Sequence, residues 1–214
     1  MDKKRLIAGV LVFGSLWGFS EVIIGTGLQD VGLPYGAIMT GVFALSFLVL
    51  SRMIFRQPGM QVGMGFVAGG LRVFNPFIGC HLCSAIAIMA EAVIFEIIWY
   101  NKESDFSDLK TITMQSSMCI ITAYLVYIGG YITTQVLTPV VGGTGFYLEN
   151  LIVFMPRILA SGVLTALLGA ITLPVTLQVK KLDLTVKDRL YYPATLGLTI
   201  LCWVVVIGSS LITS

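Results

Sequence analysis

Charge is what this sequence of 214 residues has least of. Lys, Arg, Asp and Glu together make up 11% of it, against 57% in the hydrophobic set. Soluble domains carry about 25% charged and about 45 to 50% apolar residues, so this deficit, with a mean hydropathy of +0.93, excludes a water-soluble globule. A net charge of +2 is too small to gather nucleic acid, and no such partner is expected. Catalytic motifs are missing as well. No G-x-x-x-x-G-K-[ST] occurs, so the chain itself does not use the P-loop mode of ATP binding and any ATP coupling must come from partners. Neither H-E-x-x-H nor G-x-S-x-G is present. The sequence reads as a non-enzyme without a cofactor.

What the chain has in quantity is long apolar runs. A membrane helix needs about 20 mainly apolar residues to cross about 30 Å of hydrocarbon, and stretches meeting that standard lie at 6–28, 36–55, 60–78, 82–100, 113–137, 151–179 and 190–213. Turn chemistry separates them: Gly32-Leu33-Pro34, Gln57-Pro58-Gly59, the charged stretch 101–110, the glycine-rich stretch 138–150 and the stretch 180–189. The fold expected is an all-α, polytopic transmembrane bundle of about seven spans, forming one domain over 1–214. Met1-Asp2-Lys3-Lys4-Arg5 opens like a signal peptide, but the following run is too long and lacks a small-residue cleavage site, so it reads as an uncleaved first span.

The few cations set the direction. With the N-terminus in the cytoplasm, Lys3, Lys4, Arg5, Arg52, Arg56, Lys102, Lys110, Lys180, Lys181, Lys187 and Arg189 all fall inside, as the positive-inside rule requires. The C-terminus then lies outside, and the expected location is the cell (cytoplasmic) membrane. Arg72 and Arg157 remain within spans.

Charged groups at membrane depth cost at least about 2.5 to 3.5 kcal/mol each, so they face the bundle interior and mark a site. At 1.5 Å of rise per residue, Glu21 lies roughly 22 Å and Arg72 roughly 18 Å above the cytoplasmic side. Counted down from the outer surface of a core about 30 Å thick, Glu91 and Arg157 come to roughly 16 Å and roughly 21 Å. The four share one layer. In the first span Gly14, Gly18, Glu21 and Gly25 fall at offsets 0, 4, 7 and 11, and Gly65, Gly69, Arg72 and Pro76 repeat those offsets in the third. Each set is one helix stripe, and small-xxx-small faces let helices approach closely in lipid. Glu21 and Arg72 are therefore expected to face each other or a shared cavity. The mixed charge suits a small zwitterionic or polar organic molecule, with aromatic walls from Trp17, Phe74 and Phe77. The competing reading is that the four charges pair as structural glue and leave no room. Glu96 stands apart, roughly 140° around the helix from Glu91, and is expected to pair with an inner-loop cation or to snorkel.

Cys80-His81-Leu82-Cys83 contains the only histidine and falls at the outer turn between spans three and four. Three readings stay open: a redox-active or structural disulfide, a soft-metal site, or small buried packing groups. No second Cys/His group completes a zinc set, and no metal ligand is assigned. Cys119 and Cys202 lie inside other spans and offer no relay partner. His81 is a further candidate contact to a ligand, above the charged layer. Gly142-Gly143-Thr144-Gly145 lacks the strand and helix of a phosphate loop and reads as an outer connector or a lid.

On Gly14-Ser15-Leu16-Trp17-Gly18, and on the run from Pro34-Tyr35-Gly36-Ala37-Ile38-Met39 through Gly63 to Arg72, the first half of the chain resembles the substrate-binding S components of energy-coupling-factor vitamin transporters. That resemblance implies about six spans, a vitamin or metal ion bound near the outer surface, and small-residue helix faces docked on a transmembrane coupling protein driven by two ATPases. The odd span count here departs from the usual family topology, in which both ends stay inside. The metal-binding members' N-terminal Met and His do not carry over, because Met1-Asp2-Lys3 lacks the histidine.

The expectation is a lipid-embedded binding subunit for uptake of a small polar or zwitterionic, vitamin-like nutrient. Its substrate-binding candidates are Trp17, Glu21, Arg72, Phe74, His81, Glu91 and Arg157, and partner subunits supply the power. The alternatives are a membrane thiol-disulfide oxidoreductase using Cys80 and Cys83, and a structural subunit of a membrane complex.

Overall fold

The computed structural model describes residues 3–74, 81–100, 109, 111–141, 148–179 and 188–213. Among these every regular element is helical. The helices are α1 (Lys3–Asp30), α2 (Tyr35–Phe55), α3 (Met60–Val73), α4 (His81–Ile98), α5 (Ile112–Val141), α6 (Leu148–Val179) and α7 (Asp188–Thr213). They fall on the seven apolar stretches of the sequence. The largest disagreement is at the third stretch, expected to run to residue 78: α3 ends at Val73, with Phe74 in a turn conformation. Residues 75–78 of that stretch lie outside the described residues.

α1, α2, α5, α6 and α7 are long and apolar enough to cross a membrane. On α6 the exposed side chains include Val163, Leu167, Ile171 and Val175, and on α7 Leu196, Ile200, Val204 and Leu211. Continuous apolar stripes of this length are untenable in water. They belong to a membrane-embedded protein, with acyl chains against those faces.

The core is assembled on α2, which packs against α6, α1 and α3, while α1, α3, α4, α5 and α6 follow one another around it. α7 joins from the side, chiefly against α1. There the Trp203 indole N–H donates to Ser15 Oγ at 3.0 Å, the Arg5 guanidinium lies 5.2 Å from the Tyr191 ring centroid, and Val206 packs with Val22 and Leu71. The Arg5 contact brings the first turns of α1 and α7 to the same end of the bundle.

Glycines decide how closely the helices approach. A Cβ at Gly14 would meet the Met64 carbonyl oxygen at 2.8 Å, and one at Gly18 would meet Leu71 Cβ at 2.8 Å. Gly14 and Gly18 of the first stripe read from the sequence are thus packed on α3, while Gly25 faces Met39 of α2. On α3 the second stripe turns to α4, where a Cβ at Gly69 would stand 2.8 Å from the Ala85 carbonyl oxygen.

Glu96 has a different role from the pairing or snorkelling expected of it. Its carboxylate reaches from α4 to the start of α3, where Oε1 accepts the Gly59 N–H and Oε2 accepts the Val62 N–H at 2.9 Å. The first amides of a helix lack intrahelical acceptors, and the helix dipole favours an anion there. Gly59, with φ of 83°, makes the turn that exposes them. Removing a charged hydrogen-bond partner costs about 1.5 to 3 kcal/mol. Glu96→Ala is therefore expected to lower stability by about 2 kcal/mol in detergent unfolding, with hydrogen exchange rising first at Gly59 and Val62; unchanged exchange there would show that the cap contributes nothing.

Candidate functional site

Two of the helices carry π-helical turns, Ser20–Ile24 in α1 and Met39–Ala44 in α2. Such turns insert a residue into the helical register and redirect side chains, often at functional sites. Here they carry Glu21 and Thr40 to the same place. Glu21, Arg72, Glu91 and Arg157, four charges on four helices, all line one cavity of about 440 Å³.

The position of the cavity follows from the chain path. Its wall includes the α1–α2 turn at Leu33 and Pro34, Arg72 at the end of α3, Ser84 at the beginning of α4, Gln135 late in α5 and Arg157 early in α6. The starts of α1, α3, α5 and α7 lie at the opposite end. That end holds Lys3, Lys4, Arg5, Arg52 and Arg56. One end of the bundle is basic, and the other opens into a charged pocket.

Pairing within the charged layer is incomplete. Arg72, buried, donates from Nη1 to the backbone carbonyl oxygen of Glu21 at 2.9 Å rather than to its carboxylate. The Glu21 carboxylate still feels Arg72 electrostatically, and its Oε1 accepts the Trp17 indole N–H at 3.3 Å. Glu91 Oε1 accepts the Thr40 hydroxyl at 2.9 Å. Arg157 is exposed at the cavity edge. Among the described residues no ion pair joins the four charges.

The aromatic walls differ from those expected. Trp17 is fully buried beneath the site and positions Glu21 instead of lining the space. Its i, i+4 relation to Glu21 puts both on one helix face, close enough to bond. Phe74 is 42% exposed and packs edge-to-face on Trp203, away from the cavity. Phe77, and the side chain of His81, lie outside the described residues. Three tyrosines replace them: Tyr35, Tyr127 and Tyr131 line the cavity. The last two are ring neighbours with centroids 5.8 Å apart. Tyr127, Gly130, Tyr131 and Thr134 sit at offsets 0, 3, 4 and 7, one helix face, which was the available signal.

Cys83, buried, is disulfide-bonded, whereas Cys119 and Cys202 are free and buried. Cys80 and Gly142-Gly143-Thr144-Gly145, the latter read as a connector or lid, lie outside the described residues. Among the described residues no group of three or more His, Cys, Asp or Glu is placed to hold a metal ion. No protein-family model, no curated protein and no solved structure matches the chain.

Proposed function

We propose that the chain is the membrane-embedded binding subunit of an uptake system for a small polar or zwitterionic nutrient, powered by partner subunits. It crosses the cell membrane seven times, with the basic end in the cytoplasm and the pocket facing outward. One observation carries this reading: two acids and two bases, each expensive at membrane depth, surround an open space instead of pairing across it. The cavity lies within the range of small-molecule sites, about 300 to 1,000 Å³. Polar groups of both signs on its wall suit a dipolar solute better than a lipid tail.

The likeness to vitamin-transporter S components agrees with this placement but not with their mode of docking. The glycine faces of α1 and α3 are occupied by helices of the chain itself. A coupling protein would have to meet another face.

Native mass spectrometry of gently purified protein tests the proposal. The wild type is expected to retain a small molecule, the Arg157→Ala and Glu91→Gln variants to release it, and ATPase subunits to co-purify. A wild type that never carries a ligand and always purifies within one large fixed assembly would point to the structural subunit instead.

The disulfide at Cys83 bears on a second reading, a membrane thiol-disulfide oxidoreductase using Cys80 and Cys83. Exchange needs a thiolate to reach a sulfur, and Cys83 is fully buried. Cys83→Ser is accordingly expected to leave uptake intact if the protein still folds.

A further inference from the structure

One wall atom of the cavity has a conspicuous need. Glu91 is 8% exposed and, although its Oε1 accepts from Thr40, its Oε2 is buried with no hydrogen-bond partner. The side chain has little freedom to seek one. Its Cγ and Oε1 lie against Gly130, where an added Cβ would come within 2.7 and 2.8 Å of them. A buried polar atom left without a partner is unfavourable, and Glu91 lines the cavity, so its carboxyl is the wall group with hydrogen-bonding capacity left for a ligand.

The protein's own cations do not take up that capacity. Arg72 is committed to the Glu21 carbonyl, and Glu21 repels Glu91 rather than helping it. Arg157 lines the same cavity, and among the described residues no ion pair joins it to Glu91. A hard metal ion would want about six oxygen ligands, and no metal-binding group of side chains is present among the described residues.

The surroundings of Glu91 instead fit an organic cation. Tyr127 is close enough to interact electrostatically with Glu91, Tyr131 and Tyr35, and the Tyr127 and Tyr131 rings are tilted 50° to each other. Aromatic faces near a carboxylate attract an alkylated or primary ammonium, both by charge and by the ring quadrupole. We infer that the cavity selects a ligand bearing an organic ammonium group, whose nitrogen sits at Glu91 among Tyr35, Tyr127 and Tyr131. This rests on the cavity being a binding site. Arg157, about the same space, takes an anionic end where the ligand has one.

Matched aromatic probes separate the two claims. Benzyltrimethylammonium, benzylamine, benzoate and benzyl alcohol share one ring and differ in charge, and each is titrated into detergent-purified wild type, Glu91→Gln and Tyr131→Leu, with binding read by calorimetry and by the unfolding midpoint. The two cations are expected to bind the wild type at least tenfold more tightly than benzyl alcohol. Glu91→Gln abolishes that preference, and Tyr131→Leu weakens benzyltrimethylammonium while Glu91 is intact. Tyr131→Leu keeps the test open if Glu91→Gln misfolds. Equal binding of benzylamine and benzyl alcohol overturns the inference, as does a cation preference that survives Glu91→Gln. Binding of benzoate alone, lost in Arg157→Ala, overturns it while leaving the binding-subunit reading standing. No response to any probe overturns it too, and a wild type that also carries no molecule in native mass spectrometry takes that reading down with it.

Discussion

Arg72→Ala is expected to lower the unfolding free energy by about 1.5 to 3 kcal/mol, the range for removing one partner of a hydrogen bond to a charged group. Arg72 is 4% exposed, holds the Glu21 carbonyl, and is the cation that offsets the Glu21 carboxylate. Without it the Glu21 charge stays buried and uncompensated. The same argument says that a second change should repair much of the loss. Glu21→Gln in the Arg72→Ala background removes the stranded charge while keeping an acceptor for the Trp17 indole. A double-mutant cycle read by unfolding in detergent is expected to give a coupling of about 1 to 3 kcal/mol, the range for residues in one network. Additive losses would show that the two side chains act independently.

Gly65→Leu is expected to prevent α3 and α4 from docking. An added Cβ at Gly65 would stand 2.4 Å from the Ala92 Cβ, with the Met89 Cα at 3.4 Å and the Ile88 carbonyl oxygen at 3.5 Å. None of these is the flexible end of a long side chain. Overpacking costs about 1 to 3 kcal/mol for added methylenes where neighbours can yield. The Ala92 Cβ has no rotamer by which to move aside, which places this variant at about 3 kcal/mol or beyond, with Arg72 and Glu91 pulled apart as the helices separate. Gly197 provides the control, because a Cβ there meets nothing within 4 Å. Gly197→Leu is expected to keep wild-type yield and unfolding midpoint to within a few degrees, consistent with the small effects typical of exposed sites. Similar behaviour of the two variants would mean that the close α3–α4 approach is not what holds the site.

The parts of the molecule governed by large one-body energies were legible in the sequence. A charge in hydrocarbon is so costly that Glu21, Arg72, Glu91 and Arg157 stood out, and one cavity gathers them. The glycine offsets marked the close faces of α1 and α3, and the apolar runs marked all seven helices. Features that depend on register and on small differences were not legible. Nothing in Ser20-Glu21-Val22-Ile23-Ile24 announces a π turn, yet that turn helps to set where Glu21 points. Phe74 lies two residues beyond Arg72, roughly 200° around a helix, so nearness in sequence placed it on the wrong side. The tyrosines of α5 carry no such energetic signal, because a tyrosine in a membrane helix reads as an interfacial or packing residue, and only the position of α5 beside Glu91 brings them to the cavity. The role of Glu96 is hidden in the sequence for a similar reason: the amides it caps belong to α3, a helix away in the chain.

The central claim, that the four charges surround a space entered from outside the cell, is tested most directly by cysteine labelling in intact cells. Ser84 and Ser161 line the cavity, whereas Thr165, one turn along α6, is fully buried. The native free thiols at Cys119 and Cys202 are buried, so background reaction is expected to be low. With a membrane-impermeant methanethiosulfonate added to whole cells, Ser84→Cys and Ser161→Cys are expected to react at least tenfold faster than Thr165→Cys. Labelling no faster than at Thr165→Cys, or labelling only in inverted vesicles, would contradict the account.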